Sequence, residues 1–345
     1  MTRLAPAADC SRPEPAGKPA RESPTTPPAP PTPPTPPTPP TPTSPTPTSP
    51  TPPTPTAGPA GDPAARLPVS SAARRWKPTP LIAGTATLHV GAAAAVALAP
   101  AVWPWAAGGV IASHLVLTAA GLWPRSALLG PNWTTLPASA AGQIALTIDD
   151  GPHPDVTPRV LDLLERHGAR ATFFCIGDEA RRYPQWIEAI VAGGHAVENH
   201  SQRHRHDFSL LGPGTLRREI EAAQHTLTEL SGATPLFFRA PAGLRNPFLE
   251  PVLCRLGLTL ASWTRRGFDT RSRDPATVTR RLLRGLAPRD ILLVHDGHAA
   301  RNLRGDPVVL DVLPAVLRAA ADAGLRCTTL RAAGTGDGAG RQSAG

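Results

Sequence analysis

The sequence predicts an α/β fold, an irregular (β/α) barrel of about seven strands that follows a proline-rich arm and a hydrophobic helical pair. Three observations lead to this prediction. Proline is concentrated near the N-terminus, residues 79–124 contain no charged side chain, and short β-rich runs alternate with helical runs from Gln143 onward. The expected divisions of the chain are residues 1–78, 79–124 and 143–332, with a tail over 333–345.

The first 78 residues lack the composition of a folded domain. They hold 26 of the 45 prolines in a chain of 345 residues, and residues 24–56 form a low-complexity Pro/Thr tract. So few large apolar side chains cannot bury enough surface to offset the entropy that ordering costs. We expect this arm to be disordered, with the tract extended as a polyproline II spacer. Residues 1–23 lack the apolar stretch of a secretory signal, and the Gly-rich tail from Ala333 is expected to be disordered too.

The net charge of +9 does not indicate nucleic-acid binding. The cations are almost all arginines scattered through predicted helices, without a basic patch interleaved with aromatic residues. A solvated surface that faces an anionic membrane explains the charge better. Four cysteines without CxxC spacing indicate neither a zinc knuckle nor a disulfide framework.

Two apolar runs, 81–100 and 106–123, approach the roughly 20 residues that a membrane-spanning helix needs. Trp103-Pro104-Trp105 separates them as a turn, and five of the seven tryptophans lie in or beside this region, as interface belts would. We therefore expect two transmembrane helices. Two buried Ala-rich core helices are the alternative.

The flanking charges predict the orientation of these helices. Arg66, Arg74, Arg75 and Lys77 precede the first run, whereas only Arg125 closely follows the second, which places the N-terminus in the cytoplasm. If both runs span, the C-terminal domain is cytoplasmic as well. If only one spans, the domain is outside, so its side of a bacterial inner membrane stays open.

The alternation from Gln143 onward indicates a parallel sheet. A doubly wound open sheet and a closed barrel both fit, but polar residues at the ends of several strands favour the barrel, because strand ends converge at its mouth. Strands are predicted over 144–150, 171–177, 195–200, 236–241, 258–265, 291–296 and 326–330. Helices are predicted over 157–167, 183–192, 215–230, 247–256, 275–286 and 308–323.

Asp149 and Asp150 end the first predicted strand. The Gly151-Pro152 turn that follows allows both adjacent carboxylates to reach one cavity. One carboxylate could bind a cation while the other stays free as a base. A solvated acidic turn is the alternative.

His200 and His204 form an HxxxH pair. On a helical turn this spacing puts both imidazoles on one face, where they can bind one metal ion. With one carboxylate the site becomes His₂Asp with an open position, as in catalytic zinc sites. A polar exposed loop is the alternative. His206 is a weaker candidate ligand, because its side chain is expected to point away from that face.

Arg239 and His295 also lie at predicted strand ends. Arg239, in the sequence RAPAG, can pair with a carboxylate of the first strand, and Gly243 allows a tight turn whose N–H faces a developing oxyanion. His295, at the end of ILLVHD, suits a general acid. Asp269 can orient His295, and Trp263 can form an apolar wall of a sugar cleft. The alternatives are a surface arginine, a capped core histidine, a loop carboxylate and a packing tryptophan.

The motifs TIDDG, HSQRH, RAPAG, WTRRGFD and LLVHD, in this order over residues 147–296, resemble the five motifs of the NodB-type polysaccharide deacetylases (carbohydrate esterase family 4). The resemblance covers the C-terminal domain, about half the chain, and leaves out the arm and the apolar pair. It implies a distorted (β/α) barrel, a divalent metal that is usually zinc, and hydrolysis of N-acetyl groups from amino sugars.

The resemblance also assigns roles to individual residues. They are a general base (Asp149), three metal ligands (Asp150, His200 and His204), the residue that holds the base (Arg239), the general acid (His295) with its partner (Asp269), and an oxyanion N–H (Ala242). Two positions depart from the family pattern. Ala242 and Thr270 stand where the family often has aromatic residues, which leaves the pocket wall and the role of Trp263 less defined.

The expected function is that of a membrane-anchored, metal-dependent hydrolase that removes N-acetyl or N-acyl groups from amino sugars of a polysaccharide or oligosaccharide. One alternative is deacetylation or deformylation of a lipid-linked sugar at the membrane. A second alternative is a catalytically inactive glycan-binding module, which would lack the base or a ligand; here every motif residue is present.

Overall fold

The computed structural model describes residues 73–334. The Pro/Thr tract with the rest of the arm, and the tail from residue 335, lie outside the described residues. The strands are β1 (Gln143–Asp149), β2 (Ala171–Cys175), β3 (Ala196–Asn199), β4 (Phe237–Phe238), β5 (Thr259–Leu260), β6 (Arg265–Arg266), β7 (Ile291–His295) and β8 (Arg326–Thr328). The α-helices are α1 (Pro80–Leu98), α2 (Trp103–Leu122), α3 (Thr157–Arg166), α4 (Gly177–Arg182), α5 (Pro184–Ala192), α6 (Pro213–Ser231), α7 (Leu249–Leu256), α8 (Pro275–Leu283) and α9 (Val308–Asp322).

The helices α1 and α2 form an antiparallel pair, which we call the hairpin. The Thr79 hydroxyl accepts a hydrogen bond from the Ile82 N–H at 3.3 Å and so caps α1. The helices have 19 and 20 residues, about 28–30 Å, which matches a bilayer core. Both are long and apolar enough to cross a membrane. In the most apolar 18-residue stretch of each, only 0% and 11% of the residues are buried. The alternative of two buried core helices therefore does not describe them.

The strands form one parallel sheet in the order β5-β4-β3-β2-β1-β7-β6, and β8 pairs with the start of β1. The two edge strands, β5 and β6, are joined by residues 261–264 alone. So short a connection requires the sheet to curl until its edges approach each other. The resulting half-barrel, with helices around it, confirms the predicted distorted (β/α) barrel.

The single strand predicted over 258–265 is wrong. Pairing with β4 ends at Ala261, whose N–H donates to the Phe238 carbonyl at 2.9 Å and which also forms a bridge with Trp133. The Ser262 N–H donates to the Trp133 carbonyl at 2.8 Å. These contacts with Trp133, which precedes the barrel in the chain, interrupt the predicted strand and divide it into β5 and β6. Trp263 lies in the segment that connects β5 to β6.

Strands β1 and β7 bring two predicted site residues side by side. Asp149 is the register partner of His295, and Ile148 is the partner of Val294. Ile148 and Val294 pack into the main apolar core beneath the helices. Since successive side chains of a strand point to opposite faces, Asp149 and His295 both point to the inner face of the half-barrel.

The hairpin is joined directly to the barrel. The Gly121 carbonyl accepts the Arg245 N–H at 3.1 Å, and a Cβ on Gly121 would lie 2.2 Å from the Arg245 carbonyl oxygen. Arg74, within the segment predicted to be disordered, donates its N–H to the Cys254 carbonyl at 2.7 Å. Near the C-terminus Ala333 is only 3% exposed. The described chain thus extends beyond the predicted limits, before residue 79 and after residue 332.

We expect Gly121→Ala to destabilise the joint between hairpin and barrel. The added methyl group overlaps the Arg245 carbonyl, and such overpacking costs about 1–3 kcal/mol. Thermal unfolding of the full chain in detergent should show a melting temperature lower by several degrees. The matched control is Gly108→Ala on α2, where nothing lies within 4 Å of the added atom. Equal melting temperatures for the two variants would contradict the close approach.

Candidate active site

Two adjacent carboxylates reach the same cavity at the end of β1. Asp150 has a φ of +75°, a left-handed conformation that is uncommon outside glycine. This turn breaks the alternation of the strand, so that Asp149 and Asp150 both border one cavity. Both are buried, with 3% and 6% exposure. Gly151 allows the turn, because a Cβ there would lie 2.4 Å from Asp296.

Arg239 holds the first of these carboxylates. Its guanidinium donates to Asp149 Oδ1 at 2.7 Å and to Thr147 Oγ1 at 2.8 Å. It also donates to the Ser262 carbonyl at 2.7 Å, and it lies 4.1 Å from the centre of the Phe174 ring. At 1% exposure this is a buried charge pair with a fixed geometry. Asp149 is thereby oriented with Oδ2 3.8 Å from His200 Nε2.

Asp150, His200 and His204 form a group that could hold a metal ion. Their donor atoms lie within 4.8 Å of one another. Asp150 Oδ1 is 3.2 Å from Nε2 of each histidine. A tetrahedral zinc site with bonds of about 2.0–2.1 Å has ligand atoms about 3.3–3.4 Å apart. The two spacings from Asp150 to the histidines therefore fit neighbouring ligands of a tetrahedral ion.

The orientation of His200 and the protonation of His204 also suit a cation. His200 Nδ1 lies 2.8 Å from the Arg239 carbonyl, to which it can only donate, so Nε2 is the ring nitrogen that faces Asp150. Burial, with the charge of His200, lowers the pKa of His204 to about 4 and keeps its imidazole neutral. Although burial alone would raise the pKa of Asp150, hydrogen bonds from His200 and His298 hold it well below its usual value. The group thus offers one carboxylate, the Nε2 atom of His200 and the neutral imidazole of His204.

The loop that carries the two histidines is not the predicted helical turn. Ser201 and His204 have φ values of +67° and +48°, which exclude a regular helix. The Asn199 side chain accepts the Ser201 N–H at 2.9 Å, and Ser201 Oγ accepts the His204 N–H at 3.1 Å. These side-chain hydrogen bonds fold the loop so that the His200 and His204 rings lie 4.8 Å apart. His206 borders the cavity without joining the group.

His295 borders the same cavity as this group and is held by Asp269. Asp269 Oδ1 lies 2.9 Å from His295 Nδ1, and its Oδ2 accepts the His295 N–H at 2.7 Å. Burial disfavours the imidazolium, but the charge and hydrogen bond of Asp269 outweigh burial and raise the pKa of His295 to about 9. His295 is therefore cationic at neutral pH and carries a proton on Nε2.

The catalytic cleft, as we call it, consists of two adjoining cavities of about 290 and 510 Å³ that share Asp150, His204 and His298. Ala242 borders it in a short 3₁₀ turn with a φ of +55°. Trp263 borders it too, but is only 7% exposed because it packs between Arg239 and Arg266. Seven of the nine predicted site residues border the cleft; Arg239 and Asp269 do not, but each contacts one that does.

His298 was not predicted as a site residue. Its Nδ1 lies 3.0 Å from Asp150 Oδ2, the oxygen that faces away from the two histidines. This contact raises the pKa of His298 and orients the carboxylate. The only indication in the sequence is its position three residues after His295. Asp296 was likewise overlooked; it lies beneath Gly151, and burial raises its pKa to about 7.

Comparisons with known proteins agree with this site. Residues 138–261 match the family model of polysaccharide deacetylases. A chitooligosaccharide deacetylase of Sinorhizobium fredii is 35% identical over 166 residues, which cover 47% of this chain and 77% of the relative. A peptidoglycan-N-acetylglucosamine deacetylase of Bacillus cereus is 30% identical over 172 residues, covering 49% of this chain and 61% of that relative.

Solved structures share the fold. The peptidoglycan deacetylase PdaC of Bacillus subtilis superposes with a TM-score of 0.52 at 24% identity, over 60% of this chain and 96% of that one. The Bc1960 peptidoglycan N-acetylglucosamine deacetylase, crystallised with a substituted N-oxidanyl-benzamide, has a TM-score of 0.53 at 26% identity, over 58% of this chain and 91% of that one. The chain belongs to the NodB-homology polysaccharide deacetylases of carbohydrate esterase family 4, hydrolases that act on amide bonds of polysaccharides.

Proposed function

We propose that this protein is a metal-dependent deacetylase that removes N-acetyl groups from N-acetylglucosamine units of a glycan. One observation carries the proposal: a held carboxylate, Asp149, and a cationic imidazole, His295, border the same cavity as a three-donor group suited to a cation. The relatives that act on chitooligosaccharides and peptidoglycan support this substrate class.

The proposed roles follow from protonation and position. Asp149, held by Arg239, takes a proton from the attacking water as the water oxygen bonds to the acetyl carbon. The Ala242 N–H stabilises the developing oxyanion. His295 gives its Nε2 proton to the sugar nitrogen as the C–N bond breaks, so acetate and a free amine leave. Trp263 forms part of the wall against which the sugar lies.

Asp150, His200 and His204 are the proposed ligands of a divalent ion, and zinc is our choice because one carboxylate and two imidazoles suit it and the two Asp150–histidine spacings match its tetrahedral geometry. Such an ion would act as a Lewis acid toward the acetyl carbonyl and promote ionisation of water. His298 is proposed to orient the Asp150 carboxylate. The ligand set leaves room for water and substrate, as catalytic sites require.

We also propose that the hairpin anchors the enzyme in a bacterial inner membrane. The helices expose large apolar side chains, among them Val90, Leu98, Ile111 and Leu115, which a bilayer would cover. Both α1 and α2 meet the barrel at the same end, through Thr79 and Gly121. If both helices span, the barrel is on the same side as Arg74, Arg75 and Lys77, which is the cytoplasmic side.

The central experiment measures acetate release from N-acetylglucosamine oligomers by the full chain. We expect a chelator to abolish release and Zn²⁺ to restore it. His200→Ala should lower both zinc content and activity by at least about 100-fold, because a ligand is lost. The matched control is His225→Ala on α6, whose side chain is 79% exposed. Undiminished activity and zinc content in His200→Ala would refute the proposed metal site.

Asp269→Asn should change the pH dependence of the reaction. Without the carboxylate, burial dominates and the pKa of His295 falls from about 9 to below about 7. Because the acid form is required, the alkaline limb of the kcat profile should move to lower pH by about two units. Asp322→Asn, an exposed position at the end of α9, is the control. If the alkaline limb of the Asp269→Asn variant stays near pH 9, His295 is not the general acid.

Reporter fusions should test the side of the membrane. An alkaline phosphatase fused after Gly345 is expected to be inactive, and a green fluorescent protein at the same place is expected to fluoresce, because both stay in the cytoplasm. A phosphatase fused after Ala101, between α1 and α2, should be active. Phosphatase activity at the C-terminal position would mean that only one helix spans.

A further inference from the structure

A second cavity, which we call the junction cavity, lies between the hairpin and the barrel. Its volume is about 480 Å³, within the range of ligand sites. Helices α1 and α2 supply one wall and two loops of the barrel supply the other. The lining is mostly apolar; its principal residues are Ile82, Ala86, Leu117, Leu122, Leu210 and Phe248.

The mouth of the junction cavity is also apolar. Leu210 is 82% exposed and Phe248 is 51% exposed, although both belong to the barrel. They border the cavity beside Leu122, which is 58% exposed on the hairpin. Apolar side chains from two separate elements thus surround one opening, which would lie in the same apolar medium that covers the hairpin.

One cation lines this apolar cavity. The Arg245 side chain is only 4% exposed and donates to the Ser126 carbonyl. Its Nε has no hydrogen-bond partner within the described part of the chain, and Glu250 forms its ion pair with Arg74 at 3.7 Å. Burial lowers the pKa of Arg245 to about 10, so it remains cationic at neutral pH. The charge of Glu250 offsets part of this burial, but no carboxylate of the described residues pairs directly with Arg245, which favours an anionic ligand nearby.

The junction cavity adjoins the catalytic cleft along one segment of chain. Ala242 and Gly243 border the cleft, and Arg245 borders the junction cavity. Three residue steps span at most about 11 Å. Gly243 packs between Trp263 and Pro124, where a Cβ would lie 2.5 and 2.8 Å from them. Arg245 is therefore within about 11 Å of a residue that borders the cleft, a length comparable to one sugar and one phosphate.

We propose that the junction cavity binds the hydrocarbon chain of a substrate whose N-acetylated amino sugar is linked through a phosphate to a lipid, with Arg245 facing the phosphate. The proposal rests on the proposed deacetylase function and narrows its substrate class. The apolar lining binds the hydrocarbon chain of the substrate, Arg245 binds its phosphate, and the nearby catalytic cleft binds its sugar.

The test is a binding measurement that does not depend on catalysis. The full chain is placed in phosphatidylcholine nanodiscs, and the Kd of a fluorescent farnesyl phosphate is measured. Ala86→Phe should fill the cavity and raise the Kd at least about tenfold. The matched control, Ala94→Phe, lies exposed on the same helix outside the lining and should leave the Kd unchanged. Arg245→Gln should reduce the preference for farnesyl phosphate over farnesol.

Three results would overturn the proposal: no binding by the unmodified chain, equal Kd values for Ala86→Phe and the unmodified chain, or loss of binding when a third of the lipid is phosphatidylglycerol. The last would identify an ordinary membrane lipid as the occupant. Acetate release is then compared between farnesyl-phosphate-linked N-acetylglucosamine and chitotriose. Binding without release from either would refute the deacetylase function alone, whereas release from chitotriose without lipid binding would refute this inference alone.

Discussion

Arg239 is the constraint on which the rest of the site depends. Its guanidinium orients Asp149, its carbonyl oxygen accepts the Nδ1–H of His200, and its hydrogen bond to Ser262 holds the segment that carries Trp263. One buried residue thus sets the position of a base, a ligand and a wall. Breaking a buried charge pair by removing one partner costs about 3–5 kcal/mol. The cost is high because the remaining charge has no water to solvate it.

The site separates two neighbouring carboxylates by giving them different partners. Asp149 faces a permanent cation, while Asp150 faces imidazoles, which exchange a proton for a metal readily. Because the backbone of Asp150 is in the left-handed conformation, the two carboxylates can face different partners although they are adjacent in the chain. His295 completes the arrangement from β7, where its register with Asp149 puts an acid beside a base. Sheet geometry and one unusual backbone angle therefore produce a site with distinct acidic and basic groups.

Much of this was predictable, and what was not depends on distant residues. Alternation of runs predicts the parallel barrel, and strand ends predict that Asp149, His200, Arg239 and His295 converge, because parallel strands end at one edge. The loop around Ser201 was not predictable, since four-residue spacing does not determine whether a turn is helical. The division of strand 258–265 depends on Trp133, far away in the chain. The contact between hairpin and barrel depends on the close approach of Gly121 to the Arg245 backbone, which cannot be predicted from the hydropathy of the sequence.

The junction between hairpin and barrel also bears on where this protein can be cut. The family resemblance suggests a soluble fragment that begins near Gln143. Such a fragment would lack Pro124, whose ring packs on Gly243 and whose carbonyl accepts the Ser262 hydroxyl at 2.6 Å. It would also release Arg245 from Gly121. Expression of the barrel alone would therefore yield an enzyme with one side of its cleft unsupported, and a fragment for crystallisation should keep the chain from residue 73 onward.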